Sequence, residues 1–128
     1  MKLLVDTHTL FWGIMDTAKL SPRARQALGN ELNDVYVSIA SAWEISIKVG
    51  RGKWEDARDL LAEFETYVEL AGFDILPISL QHVRRAGLLS TDHRDPFDRL
   101  LVAQAITEDM SLVSSDTKII GIGANVIW

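Results

Sequence analysis

Carboxylates recur in this 128-residue chain at the points where apolar runs give way to polar residues. Asp6 ends the run Lys2-Leu3-Leu4-Val5, and Asp116 follows Leu112-Val113-Ser114-Ser115. Asp95 and Asp98 open Asp95-Pro96-Phe97-Asp98-Arg99-Leu100-Leu101-Val102-Ala103, and Glu44 lies within Ser41-Ala42-Trp43-Glu44-Ile45-Ser46-Ile47-Lys48. In an open parallel α/β sheet the carboxyl ends of adjacent strands line the ligand crevice. Acids at strand ends 6 and 116 would meet there with acids carried on helices. Like charges packed that closely raise one another's proton affinity unless a cation holds them. An oxygen-only donor set in a chain without cysteine points to a hard divalent ion, Mg²⁺ or Mn²⁺. Phosphodiester hydrolysis is the chemistry such a site would serve.

Each acid also has a plainer use. Asp6 can cap the helix that follows it, Glu44 can pair with Lys48 one turn on, and Asp116 can form a turn. Asp95 and Asp98 bracket Pro96 in an N-terminal capping pattern, with Asp95 the better cap. Asp98 then sits in the first turn, where the helix dipole favours negative charge. Capping alone does not require the acids to face one point, so the metal role is preferred for Asp6 and Asp98, and Asp116 mirrors Asp6. For Glu44 and Asp95 both uses stand. Ser114 is spaced to hydrogen-bond a ligating carboxylate and orient it. Arg94, Arg99, Arg51 and Lys118 could rim the cleft and hold phosphates, with solvated surface charge as the alternative. His8 and His93 lie near the acids without zinc-ligand spacing. His82, beside Val83 in a helical pattern, reads as structural. Trp12, Trp43, Trp54 and Trp128 are more often core or interface anchors than base-stacking platforms.

The elements that must position these residues follow from the apolar pattern. Runs rich in β-branched residues at 2–5, 35–39, 73–76, 111–114 and 125–128 are continuous, as strands covered on both faces are. Helical patterns at 9–15, 21–28, 41–50, 56–70, 79–88 and 95–105 separate most of them, which predicts βαβ units and a parallel sheet. Along 56–70 the stripe Leu60, Leu61, Phe64, Tyr67, Val68 and Ala71 predicts one core-facing helix. Around 41–50 the wheel predicts an apolar face of Ile39, Ala42, Trp43 and Ile47, with Glu44 at its border. The expectation is a single three-layer α/β domain over residues 1–128, long enough to bury roughly two-thirds of its unfolded surface.

Hydrophobic content of 48% and charged content of 24% suit a globular protein. The absence of cysteine excludes disulfides and thiolate sites and fits a reducing cytoplasm. Leu3-Leu4-Val5 is too short for a signal-peptide core, and no run approaches the ~20 apolar residues of a membrane span. The net charge of −5 argues against passive binding to nucleic acid. It leaves room for a nuclease whose acids are loaded with metal.

The segments Val5-Asp6-Thr7-His8-Thr9-Leu10-Phe11-Trp12, Ser41 to Lys48, His93 to Ala105 and Ser114-Ser115-Asp116 resemble PIN-domain proteins, most of all the toxins of VapBC type II toxin–antitoxin systems. The match runs in order along the chain to Val126-Ile127-Trp128, and Asp-Pro-Phe-Asp-Arg is its most specific part. The resemblance implies a five-stranded parallel sheet of order 3-2-1-4-5 and Mg²⁺- or Mn²⁺-dependent endoribonuclease activity. It implies that Asp6, Glu44, Asp98 and Asp116 take the acidic-site positions, with Asp95 as an extra acid. Ser114 stands where many relatives carry threonine. It also implies a homodimer silenced by a small antitoxin whose tail covers the site. The alternative is a non-catalytic PIN-like module that binds protein partners. A haloacid-dehalogenase-like phosphatase would need a second Asp where His8 stands, and a receiver domain would need paired early acids and a late lysine.

Overall fold

Strand and helix alternate from the first residues, and the computed structural model describes residues 1–128. The strands are β1 (Lys2–Val5), β2 (Asp34–Ser38), β3 (Asp74–Leu76), β4 (Ser111–Val113) and β5 (Val126–Ile127). They form one sheet in the order β3-β2-β1-β4-β5, and every pairing is parallel. Leu3, Leu4 and Val5 of β1 are all fully buried. Leu3 and Val5 join a cluster of 14 buried residues on one face, and Leu4 joins a cluster of 8 on the other. That alternation is the period-2 geometry of a strand covered on both sides.

The helices are α1 (Thr7–Met15), α2 (Pro22–Gly29), α3 (Ile39–Gly50), α4 (Arg58–Ala62), α5 (Phe64–Leu70), α6 (Leu80–Leu88) and α7 (Pro96–Thr107). Their starts follow capping chemistry. Ser21 accepts from Ala24 N–H with Pro22 at the first helical position. Ser79 and His82 form a reciprocal capping box at α6. Asp95 accepts from the N–H groups of Phe97 and Asp98 at α7. No helix is long and apolar enough to cross a membrane.

Two expectations need correction. The stretch 56–70 is not one helix: a 3-10 turn at Glu55–Ala57 leads into α4, and Glu63 at φ −119° and ψ 39° separates α4 from α5. Hydrogen bonds from Glu63 N–H to Asp59 O and from Tyr67 N–H to Glu63 O carry the chain across the bend. The bend lets Leu60 and Val68 both reach full or nearly full burial, while Ala71, counted in the stripe, is exposed. On α3 the buried face is Ala40, Ser41, Glu44, Ile45 and Val49, and the predicted apolar residues Trp43 and Ile39 are 59% and 44% exposed. The helix buries two polar side chains because α1 supplies partners for them.

A buried polar chain ties the sheet to α6 and α7. Ser38 Oγ, at the end of β2, donates to Gln104 Oε1 at 2.5 Å, and the Gln104 amide lies 3.3 Å from His82 Nδ1. Ser79 N–H also donates to His82 Nδ1 at 3.0 Å. Nδ1 is therefore the unprotonated nitrogen, and Nε2 donates to Glu108 at 2.8 Å. His82 is structural, as its sequence setting suggests.

The segment between α6 and α7 is held by Arg99. Its Nε donates to Ala86 O, its Nη1 to the carbonyls of Thr91 and His93, and its Nη2 to those of Gly87 and Leu89. A guanidinium has five N–H donors in a fixed fork, and all are engaged. Arg99 therefore has no free donor for a phosphate, and its work is to fix the loop that delivers His93 to α7. Arg99→Ala is expected to lower stability by about 2 kcal/mol, read as a shifted urea midpoint. Arg99→Lys should rescue little of the loss, because an ammonium cannot span carbonyls arranged for a fork. Full rescue by lysine would contradict this account.

Candidate active site

Asp6 continues β1 by one residue, and its N–H donates to Val113 O of β4 at 3.1 Å. This pairing puts Asp6 and the residues after Val113 at the carboxyl edge of adjacent strands. Asp6 Oδ1 accepts from Thr9 N–H at 2.8 Å and so caps α1, while Oδ2 accepts a short hydrogen bond from Ser114 Oγ. Ser114 Oγ also accepts from Asp116 N–H at 3.0 Å. One hydroxyl thus links the two strand-end acids. Asp116 Oδ1 accepts from Lys118 N–H at 2.9 Å and caps a 3-10 turn at Thr117–Ile119.

Glu44 reaches the same edge from α3. Its Oε1 accepts from Thr7 Oγ1 at 2.7 Å, and Thr7 Oγ1 lies 3.0 Å from Ser41 Oγ. Its Oε2 is 2.8 Å from Lys48 Nζ, so the residue makes the i,i+4 pair and still sits buried at the cleft. Asp98, in the first turn of α7, has Oδ2 2.8 Å from His93 Nε2. Burial raises the proton affinity of the Asp98 carboxyl, the His93 hydrogen bond opposes this, and the charges of Asp95 and Asp116 raise it further. The response to Asp95 and Asp116 is the electrostatic mark of acids gathered without enough positive charge.

Asp6, Glu44, Asp98 and Asp116 line one cleft of about 400 Å³, together with Thr7, His8, Trp12 and Ser115. They come from four separate elements or their edges. Asp95 opens instead onto a neighbouring cleft of about 520 Å³, with His8, Glu44 and the end of α3. Arg94 lines a shallow polar cleft beside His93, and Lys118 is exposed beyond Asp116. Arg51 lines the neighbouring cleft with Asp95. Sequence reasoning missed Thr7 and Ser41, which are both buried. The available signal was polar residues placed directly after a strand end and one turn before Glu44. It also missed the His93–Asp98 contact, which depends on the course of the loop pinned by Arg99.

The donor set fits a hard divalent ion: carboxylate and hydroxyl oxygens, no thiolate, and an Asp98 whose anion is disfavoured first by burial and then by neighbouring negative charge. As placed, no three of these side chains close on one common point. Each instead rests on protein donors: Thr9 N–H and Ser114 for Asp6, Thr7 and Lys48 for Glu44, His93 for Asp98, and Lys118 N–H for Asp116. A carboxylate offers about four lone-pair sites, so these contacts leave capacity for a cation.

No curated protein sequence matches the chain significantly. Solved structures do share its fold. A chain of VapBC2 from Rickettsia felis, in a complex bound to a promoter DNA fragment, is 18% identical with a TM-score of 0.72, covering 99% of this chain and 98% of that one. FitAcB from Neisseria gonorrhoeae gives 19% identity and a TM-score of 0.69 over 98% and 96%. VapBC-1 from nontypeable Haemophilus influenzae gives 13% and 0.60 over 99% and 97%. The sequence model of the PIN domain matches residues 3–124. With that match over nearly the whole chain, the five-stranded parallel sheet and the acids at its carboxyl edge, the protein belongs to the PIN domain family.

Proposed function

We propose that this PIN domain is a Mg²⁺- or Mn²⁺-dependent endoribonuclease and the toxin of a VapBC-type toxin–antitoxin pair, acting in the cytoplasm. The observation that carries the reading is the convergence of Asp6, Glu44, Asp98 and Asp116 on one cleft. A divalent ion held there supplies Lewis acidity, lowering the pKa of a water nucleophile and neutralising charge on the phosphodiester. Asp6, Asp98, Asp116 and Glu44 would hold it, with Asp95 at the margin. The chain's other groups prepare that site. Ser114 fixes Asp6 against Asp116, and Thr7 holds the Glu44 carboxylate in place. Lys48 pairs with Glu44 Oε2 at 2.8 Å, while Thr7 donates to the other oxygen, Oε1. His93 steadies the Asp98 carboxylate. No side chain is asked to serve as a nucleophile.

The partner reading is supported by the similarity to chains of VapBC and FitAB complexes. It is also supported by the exposed Trp43 on α3, whose ring packs edge-on against Phe97 at 5.2 Å. An antitoxin segment with apolar residues for this surface and a basic side chain for the acids would compete with metal and RNA. A homodimer is part of the same proposal. Trp43→Ala is expected to weaken antitoxin binding by about tenfold or more, consistent with an aromatic anchor, and to leave the affinity for Mn²⁺ unchanged. Equal affinity of variant and wild type, measured by calorimetry, would remove Trp43 from the interface.

The activity itself is tested by Asp98→Asn. Asparagine keeps the volume but removes one ligand charge, so cleavage should fall by about 10²-fold or more, roughly 3 kcal/mol of transition-state stabilisation. The wild type should cleave RNA in Mn²⁺ and not in EDTA, leaving 5′-phosphate ends. Undiminished cleavage in EDTA would refute the metal mechanism. A folded wild type with no cleavage under any divalent ion would favour a protein-binding module.

Stability offers an independent reading. Millimolar Mn²⁺ should raise the melting temperature by mass action. Asp116→Asn should raise that of the metal-free protein by a few degrees and blunt the Mn²⁺ response, because it removes a charge that disfavours Asp98 ionisation. The sign follows from linkage: with its pKa raised in the fold, Asp98 costs stability above its folded pKa, and the cost fades as pH falls and it protonates. The advantage of Asp116→Asn should therefore shrink on acidification. Identical melting curves for the two proteins at neutral pH would contradict the repulsion.

A further inference from the structure

The cleft beside the acidic site carries a feature that the hydrolytic reading does not use. His8 and Glu44 line both clefts, so the two adjoin across these side chains. The far end is built by the turn that closes α3. Gly52, at φ 69°, allows the chain to reverse, and Lys53 N–H donates to Lys48 O at 2.8 Å. That turn sets Arg51 and Lys53 on the cleft wall. Neither has a carboxylate within 4.0 Å, whereas Lys48 is already paired with Glu44. The rest of the lining mixes rings with acids: Trp54, stacked on His8 with centroids 4.9 Å apart, and Phe97 at the start of α7 stand with Ile47, Pro96 and the carboxylates of Glu44 and Asp95.

Arg51 and Lys53 thus share one volume of about 520 Å³ with Trp54 and Phe97. Single-stranded nucleic acid is bound by this combination, with cations on phosphates and aromatic rings against bases. Surface cations at a helix C-terminus can also serve the helix dipole alone. That use alone would not bring Trp54 and Phe97 into the same lining, beside the acidic cleft.

We infer that this cleft is a nucleotide subsite: it holds the nucleotide next to the scissile phosphodiester, with Arg51 and Lys53 on its phosphate and the Trp54–Phe97 walls around its base. The inference rests on the nuclease reading for the word scissile, but RNA binding in the cleft is separable from hydrolysis. An acidic peptide is the competing occupant, and the rings of Trp54 and Phe97, which can contact a base, favour the nucleotide.

The test uses the full chain with a labelled single-stranded oligoribonucleotide in EDTA, followed by fluorescence anisotropy. Arg51→Ala/Lys53→Ala is expected to bind about tenfold more weakly, with a salt dependence shallower by about 1.4 in log–log slope, the share of two phosphate contacts on a single strand. Trp54→Phe should bind as the wild type does, and Trp54→Leu, checked for folding by circular dichroism, should bind more weakly. With Mn²⁺, the KM of the double variant for RNA should rise more than its kcat falls. If the wild type hydrolyses no RNA in Mn²⁺ but RNA binding in EDTA still falls in the double variant, the nuclease reading fails and the subsite stands. RNA binding equal in double variant and wild type would overturn the subsite. So would a wild type that binds an acidic peptide of the same charge as tightly as it binds RNA.

Discussion

Mutual repulsion among carboxylates at one edge of the sheet is the constraint to which the rest of the structure responds. A parallel sheet with both faces covered has its free backbone ends only at the strand termini, and the crevice forms at the carboxyl edge. Placing Asp6 and Asp116 there, and bringing Glu44 and Asp98 in from α3 and α7, costs electrostatic free energy that packing must offset. The protein meets this cost with local donors instead of buried counterions. Hydroxyls from Thr7 and Ser114, backbone N–H groups at helix starts, one lysine and one histidine each take a single lone pair. Asp98 keeps a raised proton affinity, first from its burial and then from the charges of Asp95 and Asp116.

The same constraint explains an oddity of α3. A helix choosing its buried face by hydrophobicity alone would turn Trp43 and Ile39 inward. It turns Ser41 and Glu44 inward instead and leaves Trp43 exposed, because Thr7 and the strand-end acids define the cleft it must face. The apolar residues displaced from the core become surface available to a partner. Site geometry and the exposure of Trp43 and Ile39 are thus two consequences of one rotation of the helix.

Much of this was legible in the sequence because β1 is apolar at three successive positions, a pattern that only a doubly covered strand needs, and because Ser21-Pro22 and Asp95-Pro96 announce helix starts. The order of the strands came from resemblance and not from periodicity, since pairing between β1 and β4 joins residues more than a hundred positions apart. The face of α3 was misread because a helical wheel weighs hydrophobicity and cannot weigh a hydroxyl supplied by another helix. The bend at Glu63 carries no Gly or Pro to announce it. Arg99 looked like a phosphate ligand because its acceptors are backbone carbonyls, which leave no trace in the side-chain sequence.

The central claim is that the four acids jointly hold a divalent ion. Crystals grown with Mn²⁺ and measured at its absorption edge test it most directly. The account predicts an anomalous peak within direct ligand distance, about 2.0–2.4 Å, of oxygens from Asp6, Asp98 or Asp116 and near Glu44. It also predicts that the peak disappears in Asp98→Asn. A peak confined to other surface carboxylates, or none at saturating Mn²⁺ while the acids keep their contacts to Ser114, Thr7 and His93, would contradict it.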